Sequence, residues 1–225
     1  MKKRENMNKI LDGLFIGNIR DSRNFEQLKA NSITHMVSIH DDTALGSRIE
    51  GIKYLLIGIT DSPHQNIIKF IPKCNDFIHS ARLAGGNVLI HCLAGMSRSV
   101  SIVAGYLISV TSITINEALD AIRSVRSISA PNPGFYRQLL DFEIYRLNDE
   151  RSRLSTSLAL LQSSSSSTPT TTASTSTSIS TPMMTILEAN LLDLRQKDEK
   201  EVNYKFIRLL MISIVHRIII IDSRL

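Results

Sequence analysis

Cys92 and Arg98 place a thiol and a guanidinium six positions apart in the stretch His91-Cys92-Leu93-Ala94-Gly95-Met96-Ser97-Arg98-Ser99. A thiolate is a strong nucleophile, and a guanidinium binds two oxygens of one phosphate at once. The flanking residues sharpen the reading. Gly86-Asn87 breaks the chain before Val88-Leu89-Ile90, a short apolar strand signal, and Ser97 onward is long and apolar enough for a buried helix. Between them Gly95 permits a tight turn. A strand, a loop and a helix start form a geometry in which backbone N–H groups and a helix N-terminus converge on an anion. These donors favour the thiolate form of Cys92, and the amides of Leu93, Ala94, Gly95, Met96 and Ser97 would hold phosphate oxygens together with Arg98. Positioning and charge stabilisation are most of what phosphoryl transfer requires. Ser99 is placed to hydrogen-bond the sulfur and help it leave a phospho-cysteine. The alternative is a buried, inert cysteine under an unrelated loop.

His91 to Ser99 resembles the signature loop of the cysteine-dependent protein phosphatases, in the variant of the dual-specificity phosphatases. The resemblance runs from about Met7 to Glu143. Asn8 to Asn18 is similar to the family's opening strand and turn, and Ile33 to Ile39 to its first core strand. Ala104-Gly105-Tyr106-Leu107-Ile108 and Pro131-Asn132-Pro133-Gly134-Phe135-Tyr136-Arg137-Gln138-Leu139 resemble later helix motifs. The chain looks most like the small atypical members of the Jnk-pathway-associated (Jnk-stimulatory) subgroup. Those members carry a myristoylated Gly after Met1. Here the sequence reads Met1-Lys2-Lys3-Arg4, so that lipid anchor is not expected as written.

A phosphate ester expels an alkoxide or phenoxide only with a proton from a general acid. The resemblance assigns that acid to Asp61 in Thr60-Asp61-Ser62-Pro63; a plain turn or helix cap is the alternative for Asp-Ser-Pro. Asp41 and Asp42 are the fallback acids. The variable loop positions Leu93, Ala94, Met96 and Ser97 are uncharged, which argues for single phosphates on protein side chains over polyanionic lipids. The family's shallow pocket implies phosphotyrosine, phosphoserine and phosphothreonine alike. Phosphorylated proteins are therefore the expected substrates, and the subgroup adds kinases of a mitogen-activated pathway as candidate partners. A catalytically weak phosphoprotein-binding module on the same fold is the second reading. Cys92, Asp61, Arg98 and Ser99 are all present, which weighs against it.

The elements that must position these groups alternate. Strand signals fall at residues 14–17, 34–39, 53–57 and 88–91, and helical signals near 22–31, 67–84, 97–110, 115–126 and 133–147. Thr114 with Glu117 reads as a capping box, and Asn132 with Pro133 as a helix start. The expected fold is α/β, a mainly parallel twisted central sheet flanked by helices, with the site at the carboxyl ends of the strands. Cys74 lies on a helical stripe with Phe70, Phe77, Ile78 and Ala81, so it is expected in the core; a resolving disulfide with Cys92 is the alternative. His91 is read as a partner orienting the loop. The six histidines show no ligand spacing with either cysteine, and no nucleotide-binding glycine motif occurs, so neither metal nor cofactor is expected.

Residues 1–6 read as an extension and 7–150 as the catalytic domain. Residues 151–182 read as a helix end and a Ser/Thr-rich disordered linker, and 183–225 as a tail of undefined role. Within that tail residues 203–221 are apolar but interrupted by Arg208, His216 and Arg217. A membrane anchor and a surface helix stay open there beside a divergent end with no role. Residues 1–150 hold 17 basic and 15 acidic side chains, net +2, and residues 151–225 hold 9 and 6, net +3. Neither balance suggests a nucleic-acid surface. Two cysteines, one in a reactive context, fit a reducing compartment. The charged N-terminus resembles no signal peptide. The expected location is the cytoplasm, with the nucleus left open.

Overall fold

The computed structural model describes residues 6–41 and 48–164 of the 225-residue chain. Lys2-Lys3-Arg4, Asp42, most of the Ser/Thr-rich segment and the apolar stretch 203–221 lie outside the described residues.

The strands are β1 (Asn8–Leu11), β2 (Leu14–Gly17), β3 (Ile33–His40), β4 (Lys53–Gly58) and β5 (Asn87–His91). The helices are α1 (Phe25–Ala30), α2 (Ile71–Leu83), α3 (Arg98–Val110), α4 (Ile115–Val125), α5 (Pro133–Tyr145) and α6 (Leu147–Ser164). The sheet order is β1-β2-β5-β3-β4; β1 pairs antiparallel with β2 and the other three pairings are parallel. The fold is the expected α/β arrangement. β5 sits at the centre, and Val88, Leu89 and Ile90 are fully buried, as a strand covered on both faces requires. Side chains alternate across the pleat. Leu14, Ile16, Val37, Ile39, Val88 and Ile90 enter the main core, which also contains buried residues of α2, α3, α4 and α5. Phe15, Met36 and Leu89 join Met7, Leu28 and Ile33 in a smaller second cluster.

Local signals set most helix boundaries. Thr114 and Glu117 form the capping box, with Glu117 N–H donating to Thr114 Oγ1 at 3.3 Å and Thr114 N–H donating to Glu117 Oε2 at 2.8 Å. Asn132 Oδ1 accepts from Phe135 N–H at 2.9 Å and starts α5. The helical signals at 22–31 and 67–84 each open as a single 3-10 turn, Asp21–Arg23 and Ile68–Phe70, before α1 and α2 begin. At Asn24 the backbone is extended and the side chain caps α1, which breaks the first run.

The signal at 133–147 also divides. α5 ends at Tyr145, and α6 starts anew at Leu147. The break lets α6 lay Leu147, Glu150 and Leu154 on the body, all buried. Arg151 donates to Ile108 O at 2.8 Å and Thr111 O at 2.6 Å, meeting carbonyls at the end of α3. Glu150 accepts from Asn75 Nδ2 at 2.8 Å and from Arg153, which also pairs with Asp76. The expected domain end at residue 150 thus falls within a packed helix. Among the described residues no helix is long and apolar enough to cross a membrane.

Candidate active site

The register Gly17↔His91 and Ser38↔His91 brings the carboxyl ends of β2, β3 and β5 together. Cys92 follows β5 directly and is 1% exposed. The chain then turns through Leu93, Ala94, Gly95 and Met96 to Ser97, which precedes α3. Gly95 has φ +69, and a Cβ there would lie 2.5 Å from Gly17 O and 2.6 Å from Arg126 Nη2, so only glycine fits.

Each carbonyl from Leu93 to Ser97 is bonded to a group outside the loop's inner face. Leu93 O accepts from Ile19 N–H at 3.2 Å, Ala94 O from Arg126 Nη2 at 3.4 Å, and Gly95 O from Arg126 Nε at 2.8 Å. Met96 O accepts from Ala130 N–H at 2.8 Å, and Ser97 O from Ser101 N–H at 2.8 Å. Because the two ends of a peptide unit point oppositely, this leaves the amides to converge on the inner side. Gly95 N–H donates to Cys92 Sγ at 3.2 Å, and Ser99 Oγ lies 3.4 Å from the same sulfur. An amide and a hydroxyl thus meet the sulfur in a loop whose backbone is arranged to hold an anion.

Arg98 is buried, with its side chain 6% exposed. Its Nη1 donates to Ile59 O at 3.1 Å and to Asp41 Oδ1. Its Nε has no hydrogen-bond partner among the described residues and lies 3.7 Å from Asp61 Oδ2. A buried guanidinium with an unsatisfied N–H beside the loop is suited to an incoming phosphate.

Asp61 comes from the segment after β4 and reaches the same place. Ser97 Oγ–H and Asn132 Nδ2–H each donate to Asp61 Oδ1 at 2.7 Å, while Asn132 N–H donates to Ser97 Oγ at 3.0 Å. The close approach depends on Gly134, where a Cβ would stand 2.1 Å from Pro63 O. Asp41, read from the sequence as a fallback acid, lies instead on the guanidinium of Arg98 and is largely exposed.

Sequence reasoning gave Asn132 only a capping role and Arg126 none. Arg126 had a visible signal. It continues the apolar stripe Ala118, Ile122, spaced four apart, and is 1% exposed. A charge on a core stripe asks for buried partners.

His91 is buried against Ser38, with Ser38 Oγ 2.7 Å from Nε2, and burial, aided by nearby His40, lowers its pKa to about 3. It therefore stays neutral as a structural support for the strand end. Cys74 is fully buried in α2, and burial pushes its thiol up to about 12. Both cysteines are free thiols. Among the described residues no cluster of three or more His, Cys, Asp or Glu is arranged to hold a metal ion.

Comparison with known proteins agrees with the geometry. The family model described as the catalytic domain of dual specificity phosphatases matches residues 14–145. Dual specificity protein phosphatase 22 of Homo sapiens is 46% identical over 148 residues, covering 66% of this chain and 79% of that protein. Its counterpart in Xenopus laevis is 49% identical over 136 residues, or 60% of this chain and 64% of that one. The crystal structure of DUSP15 is similar with a TM-score of 0.65 at 40% identity, covering 67% of this chain and 96% of that one. The Jnk-pathway-associated subgroup expected from the sequence is that of the first two relatives. This chain belongs to the dual-specificity phosphatase family: it is a hydrolase of phosphorylated proteins.

Proposed function

We propose that Cys92 is the nucleophile, Arg98 and the loop amides the phosphate clamp, Asp61 the general acid and Ser99 the donor that eases departure of the sulfur. In the first step Cys92 Sγ⁻ attacks phosphorus, the P–O ester bond breaks, and Asp61 gives its proton to the leaving oxygen. In the second, water attacks the phospho-cysteine, the Asp61 carboxylate takes the water proton, and the S–P bond breaks with Ser99 hydrogen-bonded to the departing thiolate. Inorganic phosphate then leaves. The observation that carries this reading is the loop itself: its carbonyls are all engaged from outside while an amide and a hydroxyl meet the Cys92 sulfur.

Leu93, Ala94 and Met96 form an exposed, uncharged stretch of the loop, which supports single phosphates on protein side chains as substrates. Within that class we assign kinases of a mitogen-activated pathway as candidate partners, on the resemblance to the Jnk-pathway-associated subgroup alone. A thiolate nucleophile needs a reducing compartment, and on that ground we assign the protein to the cytoplasm, with the equally reducing nucleus left open.

Turnover of a small aryl phosphate by the Cys92→Ser protein tests the assignment. Loss of activity with phosphate binding retained is expected, because a serine hydroxyl without a base does not attack. Residual activity within about tenfold of the parent would remove Cys92 from this role.

A further inference from the structure

The geometry points to Arg126 as the positioning residue of the phosphate-binding loop, a role that rests on the assignment of that loop to phosphate. Arg126 follows α4, far from the loop in sequence, and is among the largest fully buried side chains of the protein. Its guanidinium works as a two-sided bracket. On one side Nε donates to Gly95 O at 2.8 Å and Nη2 to Ala94 O at 3.4 Å. On the other Nη1 donates to Asn8 Oδ1 at 2.8 Å and to Asn6 O at 3.4 Å. Asn8 in turn donates from Nδ2 to Val125 O at 2.7 Å, which ties β1 to the end of α4 and fixes the bracket from behind.

The two carbonyls Arg126 holds are those at the apex of the loop, where Gly95 adopts φ +69. Lacking a Cβ, Gly95 can adopt backbone conformations closed to other residues, and one with its carbonyl turned inward would aim an oxygen at a bound phosphate. Arg126 opposes that turn with two donors and also leaves a fixed positive charge behind the loop. Arg98 faces the anion; Arg126 keeps the amides facing it. A lysine could supply the charge but not a planar fork that reaches loop and strand together.

A positioning role and a merely structural one differ in what they do to phosphate affinity. A structural defect lowers the fraction of active enzyme and leaves the phosphate inhibition constant of the remainder unchanged. Loss of positioning raises that constant. The experiment measures kcat, KM and competitive inhibition by inorganic phosphate and by vanadate in full-length Arg126→Lys and Arg126→Met, with circular dichroism and active-site titration to count folded enzyme. The expected result is a rise of roughly tenfold or more in both inhibition constants. A fall in kcat of similar size should be the same for good and poor leaving groups, with Arg126→Lys the milder. Unchanged inhibition constants in either folded variant would overturn the inference. Should Arg126→Met not fold, Arg126→Lys, which retains the buried charge, carries the comparison. Cys92→Ser run in parallel separates the two levels. If it stays active the loop assignment itself fails; if it is inactive while the Arg126 variants bind phosphate normally, only the bracket fails.

Discussion

At the scale of single residues, Asp61, the proposed acid, is held by two donors with distinct second duties. Ser97 belongs to the phosphate loop, and Asn132 spends its carbonyl oxygen on the start of α5 and its amide on Asp61. Asp61→Ala should lower kcat by roughly 10²–10⁴ for alkyl and phenyl esters, the range of lost general acid help, and by far less when the leaving group is already good. Equal slowing of both substrates would make Asp61 structural. Asn132→Ser separates the two duties, since serine caps a helix about as well as asparagine but has no amide to reach Asp61. Its Tm should stay near that of the parent, while kcat falls for poor leaving groups only. A leaving-group series on the two variants decides whether the Asn132 contact matters to the proton transfer.

Between elements, the decisive joint is the one where the segment after β4 meets the first turn of α5. Gly134 allows it, because any side chain there would overlap the backbone of Pro63. Gly134→Ala must push the helix start from the acid segment. Overpacking of this kind costs about 1–3 kcal/mol. The same displacement draws Asn132 from Asp61, so the variant should show a lower Tm in thermal melts together with the poor-leaving-group defect of Asn132→Ser. Wild-type values for both would mean that the joint yields without consequence. The loop–α3 joint is of another kind: its geometry is fixed from three directions, by Ile19 before it in sequence and by Ala130 and Arg126 after it.

For the whole molecule, α6 is the element that closes the body. A chain ending at Glu150 keeps every proposed catalytic group but loses Arg151, Arg153 and the buried Leu154. Burial of a leucine alone contributes about 1.5–3 kcal/mol. The partly exposed Arg153 pair adds little beyond that, though its loss leaves buried Glu150 with Asn75 as its remaining bonded partner. The chain ending at 150 should therefore melt well below one ending at 164, with kcat near that of the full protein at temperatures where both are folded. Matching denaturant midpoints would show α6 to be dispensable. Acid stability follows from His91. Unfolded, its ring takes up a proton below about pH 6.5; folded, burial holds it neutral down to about 3. The unfolded state thus binds more protons between these values, and stability falls as pH drops through that window by up to about 1.4 kcal/mol per unit. Melting at pH 7 and pH 5 should show a larger loss for the parent than for His91→Asn; equal losses would assign the acid sensitivity to other groups.

What could be read from the sequence is what lies close along it. The apolar run of β5, the turn at Gly95, the helix start after Ser97 and the caps at Thr114 and Asn132 are short-range patterns, and they are enough to group Cys92 with Arg98 and Ser99 across one loop and the helix start that follows it. Likeness to a family supplied Asp61. The sheet order, the split of the last helical signal at Arg146 and the partners of the buried polar groups were decided in three dimensions. Asn132 reaches Asp61 across 71 positions, Arg98 reaches Asp41 across 57, and Arg126 reaches Gly95 across 31. Periodicity reports which face of an element is buried, but not what waits there. A buried donor must find an acceptor wherever packing brings one, and that choice is made by the assembled core.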